Sequence, residues 1–205
     1  MTVLQDLEQR IIRVVGDPDR RFTRDPVRMM RVVRHAARTG FKIEDATFTA
    51  LQQHKEKLQL CPPSRIRDEI LKDLQSGASR PWAELCMASG LWSVLFPLYI
   101  LDGVEEGEGI RQQLLNIFAV LDRLHVRRDD AEPVKIPEPI LFACLLLPWA
   151  HQRYNLPEVN VRGQGFHRLS RMIRDEIEQV LQVAEEPHRL ALDAGLDALI
   201  ERHGL

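Results

Sequence analysis

The sequence predicts an all-α, multi-helical protein on three observations. Apolar residues recur at three- and four-residue spacing through nearly the whole chain. No stretch alternates apolar and polar residues as a half-buried strand does. Helix-start and helix-stop residues punctuate the periodic runs. At 205 residues and 44% hydrophobic content, the chain is long enough to bury a core in one or two helical units.

The elements follow in order. Thr23, Asp25 and Pro26 read as the start of the first strong helix. A side-chain acceptor and a residue of preset φ suit the orphan N–H groups of a first turn, and Gly40 reads as the stop. That helix is expected over 26–39. Further helices are expected over 44–58, 64–75, 81–88, 109–127, 137–152, 166–185 and 187–203. The acidic, glycine-bearing segment 101–109, the charged segment 127–139 and the polar segment 155–164 read as loops. The chain is divided into a first helical part, residues 1–80, and a second, residues 81–205.

A formal charge of −2 gives no global attraction to nucleic acid, so any basic surface has to come from local clustering. Cys61, Cys86 and Cys144 are far apart and lack metal-ligand spacing, which excludes a disulfide framework and a zinc site and reads as reduced thiols in a cytoplasmic protein. The first eight residues hold no apolar signal-peptide core. The most apolar stretch, 140–150, contains Pro148 and is too short to span a bilayer, so no membrane association is expected.

The helix over 26–39 carries the clearest signal. At 100° per residue Arg28, Arg31, Arg34, His35 and Arg38 share an arc of about 120°. Met29, Met30, Val32, Val33, Ala36 and Ala37 fill the opposite side. Residues 10–40 hold nine arginines against three aspartates, and no acidic residue follows Asp25 until Glu44. Solvated helix faces usually interleave such charges with glutamate one turn away, so this face reads as phosphate-facing. Arginine also offers a planar fork that meets phosphates and base edges in pairs of hydrogen bonds. The expected phosphate or RNA contacts are Arg21, Arg24, Arg31, Arg34 and Arg38. His35 reads as a surface residue, since no neighbour orients it as a base.

The string Val14-Val15-Gly16-Asp17-Pro18, then Arg21-Phe22, then Asp25-Pro26-Val27-Arg28-Met29-Met30-Arg31 through Gly40-Phe41, resembles the neck motif of class II nucleotidyltransferases. That family comprises bacterial poly(A) polymerases and CCA-adding tRNA nucleotidyltransferases. Its motif reads Glu-Asp-x-x-Arg, whose side chains hydrogen-bond the edge of the incoming base. By position, the resemblance gives that nucleotide-binding role to Asp25 and Arg28. The family's glutamate is Arg24 here and its phenylalanine after the helix arginines is His35, which removes an acceptor and reverses a charge. Asp25 also reads as a plain helix N-cap.

A second match, Pro62-Pro63-Ser64-Arg65-Ile66-Arg67-Asp68-Glu69, resembles the later neck motif with arginine and glutamate four apart. Arg65 and Glu69 are expected to face each other one turn apart and brace the neck. Trp82-Ala83-Glu84-Leu85-Cys86 through Leu95-Phe96-Pro97 resembles the passage from neck to body.

In the family a catalytic head precedes the neck and carries a Gly-Ser motif for the triphosphate and an Asp-x-Asp pair for magnesium. This chain reads as the neck and body without that head, so no catalytic residue and no metal ligand is assigned to it. The resemblance implies ATP and Mg2+ as cofactors of the whole enzyme, the head as an intramolecular partner, and RNA, either mRNA 3′ ends or tRNA, as substrate. Some relatives carry a His-Asp hydrolase domain; no His-Asp dipeptide occurs here, and the run Ile140 to Pro148 resembles the poly(A) polymerase body more closely. Arg153, Arg162, His167, Arg168, Arg171 and Arg174 would either extend an RNA path or stay solvated on an amphipathic helix. Trp82, Trp92, Trp149 and Phe166 read as core rather than as base-stacking platforms. A stand-alone RNA-binding module, an interaction scaffold and a CCA-adding fragment remain alternatives.

Overall fold

A computed structural model describes residues 3–101, 108–125, 136–154 and 171 of the chain. Helices dominate, as expected: α1 Val3–Glu8, α2 Pro18–Arg24, α3 Arg28–Thr39, α4 Asp45–His54, a 3-10 helix Lys55–Leu60, α5 Pro63–Leu74, α6 Ser79–Ser89, α7 Leu91–Leu95, α8 Leu98–Leu101, α9 Glu108–His125 and α10 Glu138–Tyr154. The helices expected over 166–185 and 187–203 lie outside the described residues, as do Phe166, Arg162, His167, Arg168 and Arg174.

The chain divides into two compact units, Met1–Leu95 with Ala119–Glu132, and Phe96–Phe118 with Pro133–Leu205. The first unit takes in α6 and α7. Its core is built on α3, which packs on α6 and α5, while α2 packs on α4. Phe22, Val27, Met29, Met30, Val33, Leu51, Trp82, Ala83, Cys86 and Leu91 are sealed from water. Trp82 and Trp92 meet edge to face with ring centres 6.1 Å apart, a preferred aromatic geometry that confirms their place in the core.

Local chemistry explains the ends of these helices. The Asp17 carboxylate accepts from the N–H groups of Asp19 and Arg20, and Pro18 supplies the preset φ of a first turn, so Asp17-Pro18 nucleates α2. The helix expected over 26–39 is α3, which begins two residues later than its expected start, and α2 is a separate helix before it. Thr23 lies inside α2, and α3 begins at Arg28 with no side-chain cap.

Gly40 ends α3 in the left-handed region at φ 68°, where an added Cβ would meet nothing within 4 Å. Gly40→Ala therefore tests the backbone alone. The left-handed penalty of about 1 kcal/mol predicts a melting temperature lower by about 2–4 °C in a circular-dichroism melt.

Two residues on either side of α2 and α3 form a parallel pair, β1 Ile11–Ile12 with β2 Lys42–Ile43, Ile11 opposite Lys42. Lys42 N donates to the Arg10 carbonyl and Glu44 N to the Ile12 carbonyl, each at 3.0 Å. Strands of two residues are too short to show alternation.

In the second unit the buried side chains include Leu98, Tyr99, Ile110, Leu114, Phe118, Leu141, Leu145 and Trp149. Helix α10 runs through Pro148, whose missing N–H and ring loosen the preceding turn, and the Tyr99 hydroxyl donates to the Leu145 carbonyl at that place. Trp149 is core, as expected, and Arg153 and Arg171 are exposed. Cys86 and Cys144 are buried and Cys61 is half-buried, none of the three in a disulfide. No helix among the described residues is long and apolar enough to cross a membrane.

Candidate functional site

The Met, Val and Ala face of α3 is buried, which fixes the opposite face. That face meets α5, and the two helices bring most of the predicted site residues into two adjoining groups.

The outer group sits where α2 ends and α3 and α5 begin. Asp25 follows the last residue of α2, and its N–H donates to the Arg21 carbonyl. Its carboxylate caps no helix. Instead Oδ2 lies 3.3 Å from Arg28 Nε, and Oδ1 lies 3.1 Å from Arg65 Nη2 outside hydrogen-bond geometry. Both guanidinium groups remain 46% exposed, which leaves their other N–H donors facing water. The Cys61 thiol borders this group. Burial pushes it up, against the pull of the Arg65 charge and a hydrogen bond from the Val27 backbone, so it stays a thiol and not a nucleophilic thiolate.

The inner group is an ion cluster with Glu69 and Asp73 at its centre, their side chains 3% and 0% exposed. Arg34 of α3, itself 11% exposed, donates through Nη2 to Glu69 Oε2 at 2.5 Å and to the Glu69 carbonyl at 3.1 Å, and through Nε to Asp73 Oδ1. Arg31 Nη2 and Lys72 Nζ reach Glu69 Oε1 at 3.0 and 3.2 Å. Asp73 Oδ2 is buried and accepts no hydrogen bond.

The two acids consequently titrate far apart. Burial pushes the Glu69 carboxyl up, but hydrogen bonds from Arg34 and Arg31, the Arg34 charge and Lys72 outweigh it and hold it at about 2. For Asp73 burial wins. The single guanidinium of Arg34 offsets it only in part, the Glu69 charge adds to it, and the carboxyl is pushed up to about 7.

The counter-charges absent from α3 itself are therefore supplied by α5. Arg31 and Arg34, expected to face phosphate, are engaged there, with Arg34 enclosed and Arg31 43% exposed. Glu69 turns to α3, and Arg65 turns to Asp25 rather than to Glu69, so α5 holds α3 through cross-helix pairs instead of one pair along its own surface. Arg21 Nε donates to the Val15 carbonyl at 3.1 Å. Arg24 and Arg38 are exposed, and so is His35, whose carbonyl accepts from the Thr39 hydroxyl. Asp73 was not marked by the sequence, although it stands four residues after Glu69 on one face of α5.

Asp17 and Asp19 do stand at Asp-x-Asp spacing, but Asp17 caps α2 and Asp19 Oδ1 meets His54 Nε2 at 2.8 Å. Among the described residues no group of three or more His, Cys, Asp and Glu side chains is placed to hold a metal ion.

Comparison with known proteins gives this geometry a family setting. Residues 40–100 match the family model described as the probable RNA and SrmB-binding site of polymerase A. Poly(A) polymerase I of Escherichia coli O157:H7 is 33% identical over 112 residues, 55% of this chain and 24% of that protein. The CCA-adding enzyme of Levilactobacillus brevis is 40% identical over 89 residues, 43% of this chain and 22% of that protein. The match thus spans about a quarter of the length of these curated relatives. A solved structure described as tRNA-processing enzyme complex 3 superposes with a TM-score of 0.55 at 21% identity, over 98% of this chain and 56% of that one, a likeness of fold.

Proposed function

We propose that this chain, which is similar over part of its length to bacterial poly(A) polymerases and CCA-adding enzymes, is the neck and body of a cytoplasmic RNA 3′-end nucleotidyltransferase of the poly(A) branch, contributing nucleotide recognition and RNA binding. The observation that carries this reading is the Asp25 carboxylate held between Arg28 and Arg65 at the starts of α3 and α5. A carboxylate between two guanidinium groups holds both close to it by charge. Their outward N–H donors then match acceptors on the edge of a base.

In this arrangement Asp25 orients and Arg28, with Arg65 beside it, reads. The inner cluster holds the α3 backbone that carries Arg28. The base of ATP would meet an acceptor in Asp25 and donors in Arg28 and Arg65. Among the described residues no group of carboxylates is placed to hold magnesium, and the metal chemistry is proposed for the head that the family places before the neck.

Replacing Arg28 by Ala in the intact enzyme removes one charge-assisted contact worth about 1.5–3 kcal/mol, and kcat/KM for nucleotide addition is expected to fall about 10- to 150-fold. The melting temperature is expected to stay within about 2 °C, because the exposed pair with Asp25 contributes little to folding. A drop in stability matching the drop in activity overturns the nucleotide role.

Fluorescence-anisotropy titration of the 205-residue chain with oligo(A) and with a tRNA acceptor stem, each over a salt series, tests the RNA reading. Binding that weakens steeply with salt and favours oligo(A) supports it. A preference for the acceptor stem moves the protein to the CCA-adding branch, and no binding at low salt leaves a helical scaffold.

A further inference from the structure

We infer that Arg20 and Arg24, two arginines on the outer face of α2, form a phosphate-contact pair for a single RNA strand that approaches the Asp25, Arg28 and Arg65 group. The inference rests on the RNA-binding reading above and says which residues touch the backbone. Around α2, Phe22 is fully buried. At 100° per residue Arg20 and Arg24 lie about 160–200° from it and about 40° from each other. Both are exposed, and neither side chain makes a hydrogen bond or ion pair among the described residues.

The other positions of the helix are occupied. Asp19 meets His54, Thr23 accepts from Lys57 Nζ at 2.9 Å, and Arg21 holds the Val15 carbonyl. These tethers fix α2 against α4 and the 3-10 helix while leaving only Arg20 and Arg24 pointing outward. The arginines of α3 differ: Arg34 is enclosed and Arg31 is shared with Glu69, so their charge is largely neutralised. Arg38, at the far end of α3, is exposed as well, so the uncompensated charge next to Asp25 sits on α2.

Along the helix axis the pair is separated by about 6 Å, a spacing at which two guanidinium forks reach neighbouring phosphates of one extended strand. Arg24 immediately precedes Asp25, so the line of free charge leads to the nucleotide group. The charge reversal at Arg24, which costs the base-edge site an acceptor, gives the strand a phosphate contact in its place.

The test is oligo(A) binding by the full 205-residue chain over a salt series, for wild type, the Arg20→Ala/Arg24→Ala double variant and the Arg20→Lys/Arg24→Lys double variant. Two lost contacts at about 0.7 each predict that the slope of log K against log salt becomes shallower by about 1.4 in the alanine variant, with the melting temperature within about 2 °C of wild type. The lysine variant keeps the slope and loses affinity, because point charges replace forks. A wild-type slope in the alanine variant overturns the pair while leaving RNA binding intact. Absence of RNA binding by the wild-type chain overturns both readings.

Discussion

Replacing Arg34 by Met is expected to cost about 3–5 kcal/mol, enough to leave the first unit unfolded or nearly so at 37 °C. The side chain is 11% exposed and is the one guanidinium that reaches both Glu69 and Asp73. Methionine fills a similar space but leaves two buried carboxylates with only Arg31 and Lys72 nearby, both of which reach Glu69 alone. The loss comes from stranding those acids rather than from deleting an attractive pair, since a buried ion pair taken as a whole roughly breaks even against its desolvation.

That distinction gives the experiment its second arm. Adding Glu69→Leu and Asp73→Leu to Arg34→Met removes the stranded charges and is expected to recover much of the stability in a urea titration. If the triple variant is no better than the single one, the cluster does not act as a unit. Arg34→Lys is expected to fall between wild type and Met, because an ammonium group cannot span two carboxylates as a planar fork does.

The all-helical class and the burial of the α3 apolar face were legible because both follow from period alone: Met29, Met30, Val32, Val33, Ala36 and Ala37 repeat at helical spacing and are all buried. Asp17-Pro18 was equally legible as a helix start, yet only the helix over 26–39, which is α3, was expected there and α2 before it went unmarked. The fate of the arginines was not legible. Whether Arg31 and Arg34 face phosphate or carboxylate depends on which helix lies opposite, and Glu69 and Asp73 are 35 or more positions away. Local counting of charge within α3 finds no partner, since the partner is tertiary. The same holds for Arg65, whose i,i+4 partner Glu69 is drawn inward by two arginines, leaving Arg65 free to turn to Asp25.

The tertiary partners also decide how the fold responds to pH, and the two acids of α5 act in opposite senses. Glu69 is held at about 2, below its usual 4.5, so its contribution is fully present above pH 4.5 and is lost as pH falls from there through 2. Asp73 is pushed up to about 7 from its usual 3.8, so the fold is favoured by its protonated form below pH 3.8 and loses that contribution as pH rises through 7.

The charged and titratable groups around Asp73 are Arg34 on α3, Glu69 and Lys72 on α5 and the Cys86 thiol on α6, which burial and the Asp73 charge keep protonated. Arg34 and the Cys86 thiol, both raised above their ordinary values, do not change charge between pH 4 and 8, and Glu69, held at about 2, stays ionised. Asp73 therefore sets the local slope: stability is expected to decline from pH 4 to 7, by at most about 1.4 kcal/mol per pH unit, and to level off above.

Asp73→Asn keeps the shape and stays neutral, so the variant is expected to melt higher than wild type at pH 8, to match it more closely near pH 5, and to lose most of the slope between. Melts of both proteins at half-unit intervals from pH 4.5 to 8 check this. Parallel curves would mean that Asp73 stays ionised in the fold throughout, with Arg34 alone compensating it. A flattened curve in the variant would identify the proton on Asp73 as the one that relieves the crowding of two carboxylates around one guanidinium.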